Sequence, residues 1–136
     1  MLFNKKDTKE DYDLVKITAL FIHAAKIDEN YSDQEESIIK QALLKFGANK
    51  ENVEEILKKA KKIEENSIQI LDFTKEVKNM TDEDKINIIK TLWKIIYSNK
   101  EADMYETSLM RRLAGLLYID NKTMGDIKDK IRKENS

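Results

Sequence analysis

Residues 20–46 read LFIHAAKIDENYSDQEESIIKQALLKF: an apolar stretch, a short polar loop and a second apolar stretch. In both stretches the apolar residues recur three and four positions apart, the spacing of a helix that buries one face. Those of the second stretch are Ile38, Ile39, Ala42, Leu43 and Phe46. Gly47 follows directly and suits a helix C-terminus. The segment is therefore predicted to form a helical hairpin.

Residues 91–117, TLWKIIYSNKEADMYETSLMRRLAGLL, have the same arrangement at an offset of 71 residues. Apolar positions and polar loop positions both coincide, and internal repeats of this kind indicate related structural units. The coincident pairs include Phe21 and Leu92, Ile38 and Leu109, Phe46 and Leu117, Asp28 and Asn99, and Glu35 and Glu106. The repeat predicts two related hairpins, which could pack about a pseudo-twofold axis.

The remaining chain has the same helical periodicity, with no alternation typical of strands. Seven helices are predicted. The first four cover about 8–27, 32–46 with a cap at Ser32, 50–65 and 67–79. The fifth runs from a cap at Thr81 to about 98, the sixth begins at a cap at Asp103, and the seventh begins at Asn121. The fifth is the most apolar, so it is expected at the centre. The prediction is an all-α fold, a single domain over residues 1–136 with its core at about 10–132.

Composition excludes several classes of protein. The chain has 136 residues, of which 25 are basic and 26 acidic, a balance that argues against a nucleic-acid binder. It has no cysteine, which excludes disulfides and thiolate chemistry. No apolar run reaches the roughly 18 residues of a membrane-spanning helix, and the start, MLFNKKDTKEDYD, lacks a signal-peptide core. We expect a cytoplasmic protein, whose first residues could touch a membrane surface but are too few to anchor there.

The polar loop of the first hairpin, DENYSDQE at residues 28–35, has the oxygen-bearing side chains that calcium or magnesium prefers. They are Asp28, Asn30, Ser32 and Glu35. An EF-hand is excluded, because the sixth and twelfth positions from Asp28 hold Asp33 and Ile39 instead of glycine and glutamate. The second hairpin has its own acidic loop, with Asn99, Glu101, Asp103 and Glu106.

Helix capping is the alternative explanation of these residues. Ser32 followed three positions later by Glu35 is the pattern of a capping box, and Asp103 with Glu106 repeats it. A cap stabilises a helix by about 1 kcal/mol, which is sufficient reason for these residue types. A cap does not require Asp28 or Asn30, so both interpretations stay open.

No constellation of side chains indicates catalysis. The only histidine, His23, has no cysteine to activate, and the chain lacks a glycine-rich phosphate loop. Arg111 and Arg112 lie within an otherwise apolar helix. One of them is expected to face inward as an ion-pair partner of an acidic loop, and anion or partner recognition is the alternative.

These motifs resemble the TerB-like family of tellurite-resistance proteins, which includes the N-terminal domain of DjlA-type membrane co-chaperones. The family has two copies of a loop of the form A-D-G-x-hydrophobic-[S/T/D]-x-x-E. The matching segments here are AKIDENYSDQEESII and YSNKEADMYETSLMRRLAGLL, and the resemblance spans about residues 10–132. Glu29 and Lys100 replace the family's glycines, and Asn99 replaces its first acid in the second copy.

The resemblance implies an all-helical protein whose acidic loops bind a divalent metal. The leading hypothesis is a non-enzymatic protein that binds calcium or magnesium weakly through the Asp28 loop, in a stress-response or regulatory role. The alternative is a protein–protein interaction module of the co-chaperone type without metal, with a protein partner or another copy of itself. Tellurite resistance belongs to the family name, and a fold does not by itself assign a function.

Overall fold

The computed structural model describes residues 5–26, 32–66, 71–98 and 104–134, and in these ranges it contains seven α-helices and no strand. The helices are α1 (Lys5–Ala25), α2 (Asp33–Lys45), α3 (Val53–Asn66), α4 (Leu71–Lys78), α5 (Asp82–Tyr97), α6 (Met104–Leu116) and α7 (Asn121–Glu134). The all-α prediction is confirmed. In the described ranges no helix combines the length and the apolar character needed to cross a membrane.

Local capping explains where several helices begin. Ser32 caps α2, as predicted, and Thr81 caps α5 through a hydrogen bond from the Asp84 amide to Thr81 Oγ1 (3.2 Å). The last helix begins at Asn121, but the residue before it does the capping. The Thr123 amide donates to Asp120 Oδ1 at 2.7 Å. The predicted cap at Asp103 lies outside the described residues.

The ends of α2 and α6 have the same backbone geometry. Gly47 follows α2 with φ 110°, and the amide of the next residue donates to the carbonyl of Leu43 (3.0 Å). Tyr118 follows α6 with φ 59°, and the amide after it donates to the carbonyl of Ala114 (2.9 Å). Both ends are Schellman motifs, which satisfy the last carbonyls of a helix. They are 71 positions apart, so the repeat seen in the sequence is present in the backbone.

The repeat extends beyond the hairpins to a third helix. At the same offset of 71 residues, Asn49 and Asp120 begin the segments that lead into α3 and α7. The side chain of each accepts the amide proton three residues later, from Asn52 (3.0 Å) and from Thr123 (2.7 Å). In the first half α3 packs against α1, and in the second half α7 packs against α5. The repeating unit is therefore three helices long, with α4 between the two copies.

The core lies between α1 and α5, which also pack against each other. α5, which was predicted to be the central helix, contacts α1, α2 and α7, whereas α1 contacts α2, α3, α4 and α5, so the two helices share the centre. Its buried residues are Ile88, Ile89, Thr91, Leu92, Trp93, Ile95, Ile96 and Tyr97. Because the apolar residues cover most of its circumference, α5 can bury several faces at once.

Candidate functional site

A capping box holds the start of α2. The Glu35 amide donates to Ser32 Oγ at 3.1 Å, and Glu35 Oε1 accepts the proton of the Ser32 amide at 2.8 Å. Two amide groups that the helix leaves without an internal partner are thereby satisfied. The capping interpretation of these two residues is confirmed.

Capping does not explain why Glu35 is buried. The residue is only 1% exposed, whereas glutamate is almost never fully buried unless it is paired. A buried carboxylate must be compensated by hydrogen bonds or opposite charge. The Ser32 amide and the positive end of the α2 dipole supply part of this compensation. Carboxylate oxygens are also among the ligands that calcium and magnesium prefer.

Most of the other predicted ligands lie in segments for which the structure gives no description. Asp28 and Asn30 belong to residues 27–31, and Asn99, Glu101 and Asp103 to residues 99–103. Glu106 lies in α6, but its side chain is likewise outside the described part. Among the described residues, no group of three or more histidine, aspartate or glutamate side chains could hold a metal ion. A cation site at Glu35 therefore depends on ligands from residues 27–31.

Arg111 and Arg112 are both exposed on α6, so the expectation that one of them faces inward is wrong. The inward positions of this part of the helix are taken by apolar side chains: Leu109, Met110, Leu113 and Ala114. At 3.6 residues per turn this stripe leaves residues 111 and 112 on the outer side. Their pairing with the acidic loops concerns segments that are not described.

His23 lies next to an ion pair between α1 and α3. Its Nδ1 lies 3.5 Å from Glu64 Oε2, and Lys26 Nζ lies 3.0 Å from Glu64 Oε1. Glu64 is largely buried, and the three side chains connect α1 to α3. His23 therefore takes part in a contact between two helices.

A cleft of about 130 Å³ between α6 and α7 has no counterpart in the sequence predictions. Its lining residues are Trp93, Thr107, Met110, Arg111, Ala114, Asn121, Met124, Gly125 and Lys128. Trp93 is 3% exposed and stacks on Tyr97 with ring centroids 5.7 Å apart. The sequence contains one signal of the cleft: Ala114 is smaller than Leu43, the residue at the equivalent position of the first repeat.

Comparison with known proteins identifies the family. The family model described as "Tellurite resistance protein TerB" matches residues 14–129, which is most of the chain. No curated protein and no solved structure matches. The matched range includes both helical hairpins and the capping box at Ser32 and Glu35. The chain belongs to the TerB family.

Proposed function

We propose that this chain is a non-catalytic module that binds a divalent cation through the loop before α2. Glu35 and Asp28 would supply carboxylate ligands, and Asn30 and Ser32 further oxygen atoms. The observation that supports this proposal is the burial of Glu35 in a capping box, where helix capping alone requires no burial.

The chemistry of the donor set favours a hard cation. Carboxylate, amide and hydroxyl oxygens are the ligands of calcium and magnesium. The chain has no cysteine and one histidine, so the nitrogen and sulfur ligands that zinc prefers are scarce. In the capping box Glu35 uses Oε1 for the Ser32 amide, and a carboxylate has enough lone pairs to accept a hydrogen bond and ligate a cation together.

The proposed role is regulatory, in a stress response. Cation binding there would make the connection between α1 and α2 depend on the calcium or magnesium concentration. A ligand that binds only the native state stabilises it, so the same site would raise the stability of the whole protein when the cation is abundant.

Thermal melts with millimolar calcium, magnesium, manganese or zinc test the proposal. A ligand at a hundredfold excess over Kd stabilises the native state by about 2.7 kcal/mol. We expect a saturable rise in Tm with calcium or magnesium, which Asp28→Asn and Glu35→Gln each abolish. The matched control is Asp33→Asn, an exposed acid in the first turn of the same helix. No rise with any of the four ions, or a rise that survives Asp28→Asn combined with Glu35→Gln, would overturn the proposal.

A second candidate function is a protein–protein interaction module without metal. The cleft between α6 and α7 favours it, because it combines an apolar floor with the basic side chains of Arg111 and Lys128. Self-association is one form of this function, and a molar mass that rises with protein concentration would support it. A strict monomer would exclude self-association and leave a different protein as the partner.

A further inference from the structure

In the first repeat, ion pairs connect α2 to α3. Lys40 Nζ lies 2.7 Å from Glu54 Oε1 and 3.8 Å from Glu36 Oε2, and Lys61 Nζ lies 2.8 Å from Glu36 Oε1. The hydrogen bond to Glu54 raises the pKa of Lys40 above its ordinary value. Two basic and two acidic side chains therefore neutralise one another across this helix pair.

The second repeat keeps the basic residues and lacks the acidic ones. The equivalents at an offset of 71 residues are Thr107 for Glu36, Arg111 for Lys40, Gly125 for Glu54 and Arg132 for Lys61. Arg132 pairs within its own helix, with Asp129 at 3.3 Å. Within the described ranges no carboxylate lies within ion-pair distance of Arg111, which is exposed. The position that is neutralised in α2 thus presents, in α6, a guanidinium with no carboxylate partner among the described residues.

The cleft lies where the acidic side chains of the first repeat would be. Gly125, the equivalent of Glu54, has no side chain to fill this space, and Ala114 is smaller than its equivalent, Leu43. Trp93, Met110 and Met124 are buried and form an apolar floor. The cleft is shallow and open to solvent.

A second cation of the lining suits an acidic occupant. Lys128 Nζ lies 5.4 Å from the ring centroid of Trp93, so its ammonium group is held at the cleft over the aromatic floor.

We propose that the cleft between α6 and α7 binds an acidic segment of a partner protein, whose glutamate side chains take the places that Glu36 and Glu54 hold in the first repeat. Arg111 and Lys128 would pair with the carboxylates, while an adjacent apolar side chain contacts the floor. A protein segment fits better than a small molecule, because pockets for small molecules are usually about 300–1,000 Å³ and enclose their ligand. This inference is independent of the cation site, with which it shares no residue.

Fluorescence of Trp93, the only tryptophan of the chain, provides a direct readout. The probe is a blocked peptide without tryptophan that alternates pairs of glutamate with leucine, and the control peptide has glutamine in place of each glutamate. We expect a saturable change in Trp93 emission with the glutamate peptide, weakened by added salt because the pairing is exposed. Equal binding of both peptides, or no saturable change with either, would overturn the proposal.

Variants locate the binding to the cleft. Arg111→Gln should weaken the peptide affinity by roughly fivefold, the upper range for an exposed ion pair. Its matched control, Arg112→Gln, removes the same charge from the neighbouring exposed residue, which does not line the cleft, and should leave the affinity unchanged. Equal losses in the two variants would contradict a specific role of Arg111.

A second pair of variants places a glutamate either inside the cleft or, as the control, outside it. A Cβ atom at Gly125 meets no atom within 4 Å, and the same holds for Gly115 on α6. Gly125→Glu restores the acid of the first repeat and should pair with Arg111 and block the peptide, whereas Gly115→Glu, outside the lining, should not. Equal affinities in both variants would refute the site. Free glutamate or citrate that saturates the same signal at the peptide's concentration would refute a protein segment as the occupant.

Discussion

Gly47 and Tyr118 occupy the same position of the two repeats, separated by one residue from the ends of α2 and α6, and both have positive φ, 110° and 59°. Glycine adopts this conformation without steric cost, whereas a residue with a Cβ atom is strained by about 1–2 kcal/mol. Tyr118 is 73% exposed, and its ring lies 5.0 Å from Lys78 Nζ. That contact can offset part of the strain, because exposed cation–π pairs contribute about 0.5–1 kcal/mol.

The first prediction compares these two positions. Gly47→Ala should lower the free energy of unfolding by about 1 kcal/mol, because the new Cβ meets no atom within 4 Å and the whole cost comes from the backbone conformation. Tyr118→Gly should have a small effect, because relief of strain and loss of the Lys78 contact oppose each other. Urea denaturation measures both values. If Gly47→Ala left the free energy of unfolding unchanged, residue 47 would not keep its positive φ in solution.

Features of the fold that depend on neighbouring residues could be predicted from the sequence. The cap at Ser32, the cap at Thr81 and the glycine after α2 are all local signals, and the structure contains each of them. The extension of the repeat to α3 and α7 was not predicted, because the equivalent caps are different residue types, Asn49 and Asp120. What the two copies share there is a hydrogen bond from the amide three residues later to the side chain, which aligned letters do not display.

Features of the site that depend on tertiary packing could not be predicted. The capping box of Glu35 follows from spacing, but its burial depends on what packs over the start of α2. The outward direction of Arg111 depends on how α6 is rotated about its axis. The cleft results from small residues such as Ala114 and Gly125. Aligning the two repeats shows that these residues are small, but not that they lie side by side between α6 and α7.

The second prediction separates capping by Glu35 from its charge, in the absence of divalent cations. Glu35→Ala removes the acceptor of the Ser32 amide and leaves a space in a buried site, so it should destabilise the protein by about 2 kcal/mol. Glu35→Gln keeps an acceptor oxygen and should cost less. Urea denaturation of both variants gives the comparison. Equal losses would mean that the charge, and not the hydrogen bond, stabilises the helix start.

The third prediction uses two neighbouring leucines of α2. Leu43 is fully buried, whereas Leu44 is 43% exposed. Leu43→Ala should destabilise the protein by about 2–5 kcal/mol, since it removes core contacts and leaves a cavity. Leu44→Ala makes the same change on the surface and should stay within about 0.5 kcal/mol. A large loss for Leu44→Ala, measured by the same unfolding experiment, would indicate that another surface covers this side chain.

The last prediction concerns pH. Hydrogen bonds from the Thr123 hydroxyl and then from its amide lower the pKa of Asp120 below 3.8. A group with a lowered pKa in the native state stabilises the fold above its unfolded pKa, and this contribution is lost as the pH falls through the native value. Asp120→Ala should therefore lower Tm by a few degrees near pH 7, and the difference from the unchanged protein should shrink below about pH 4. Asp120→Asn, which caps without titrating, is the control, and its advantage over alanine should not vary with pH. A pH-independent difference between Asp120 and alanine would show that the hydrogen bonds to Thr123 do not depend on the carboxylate charge.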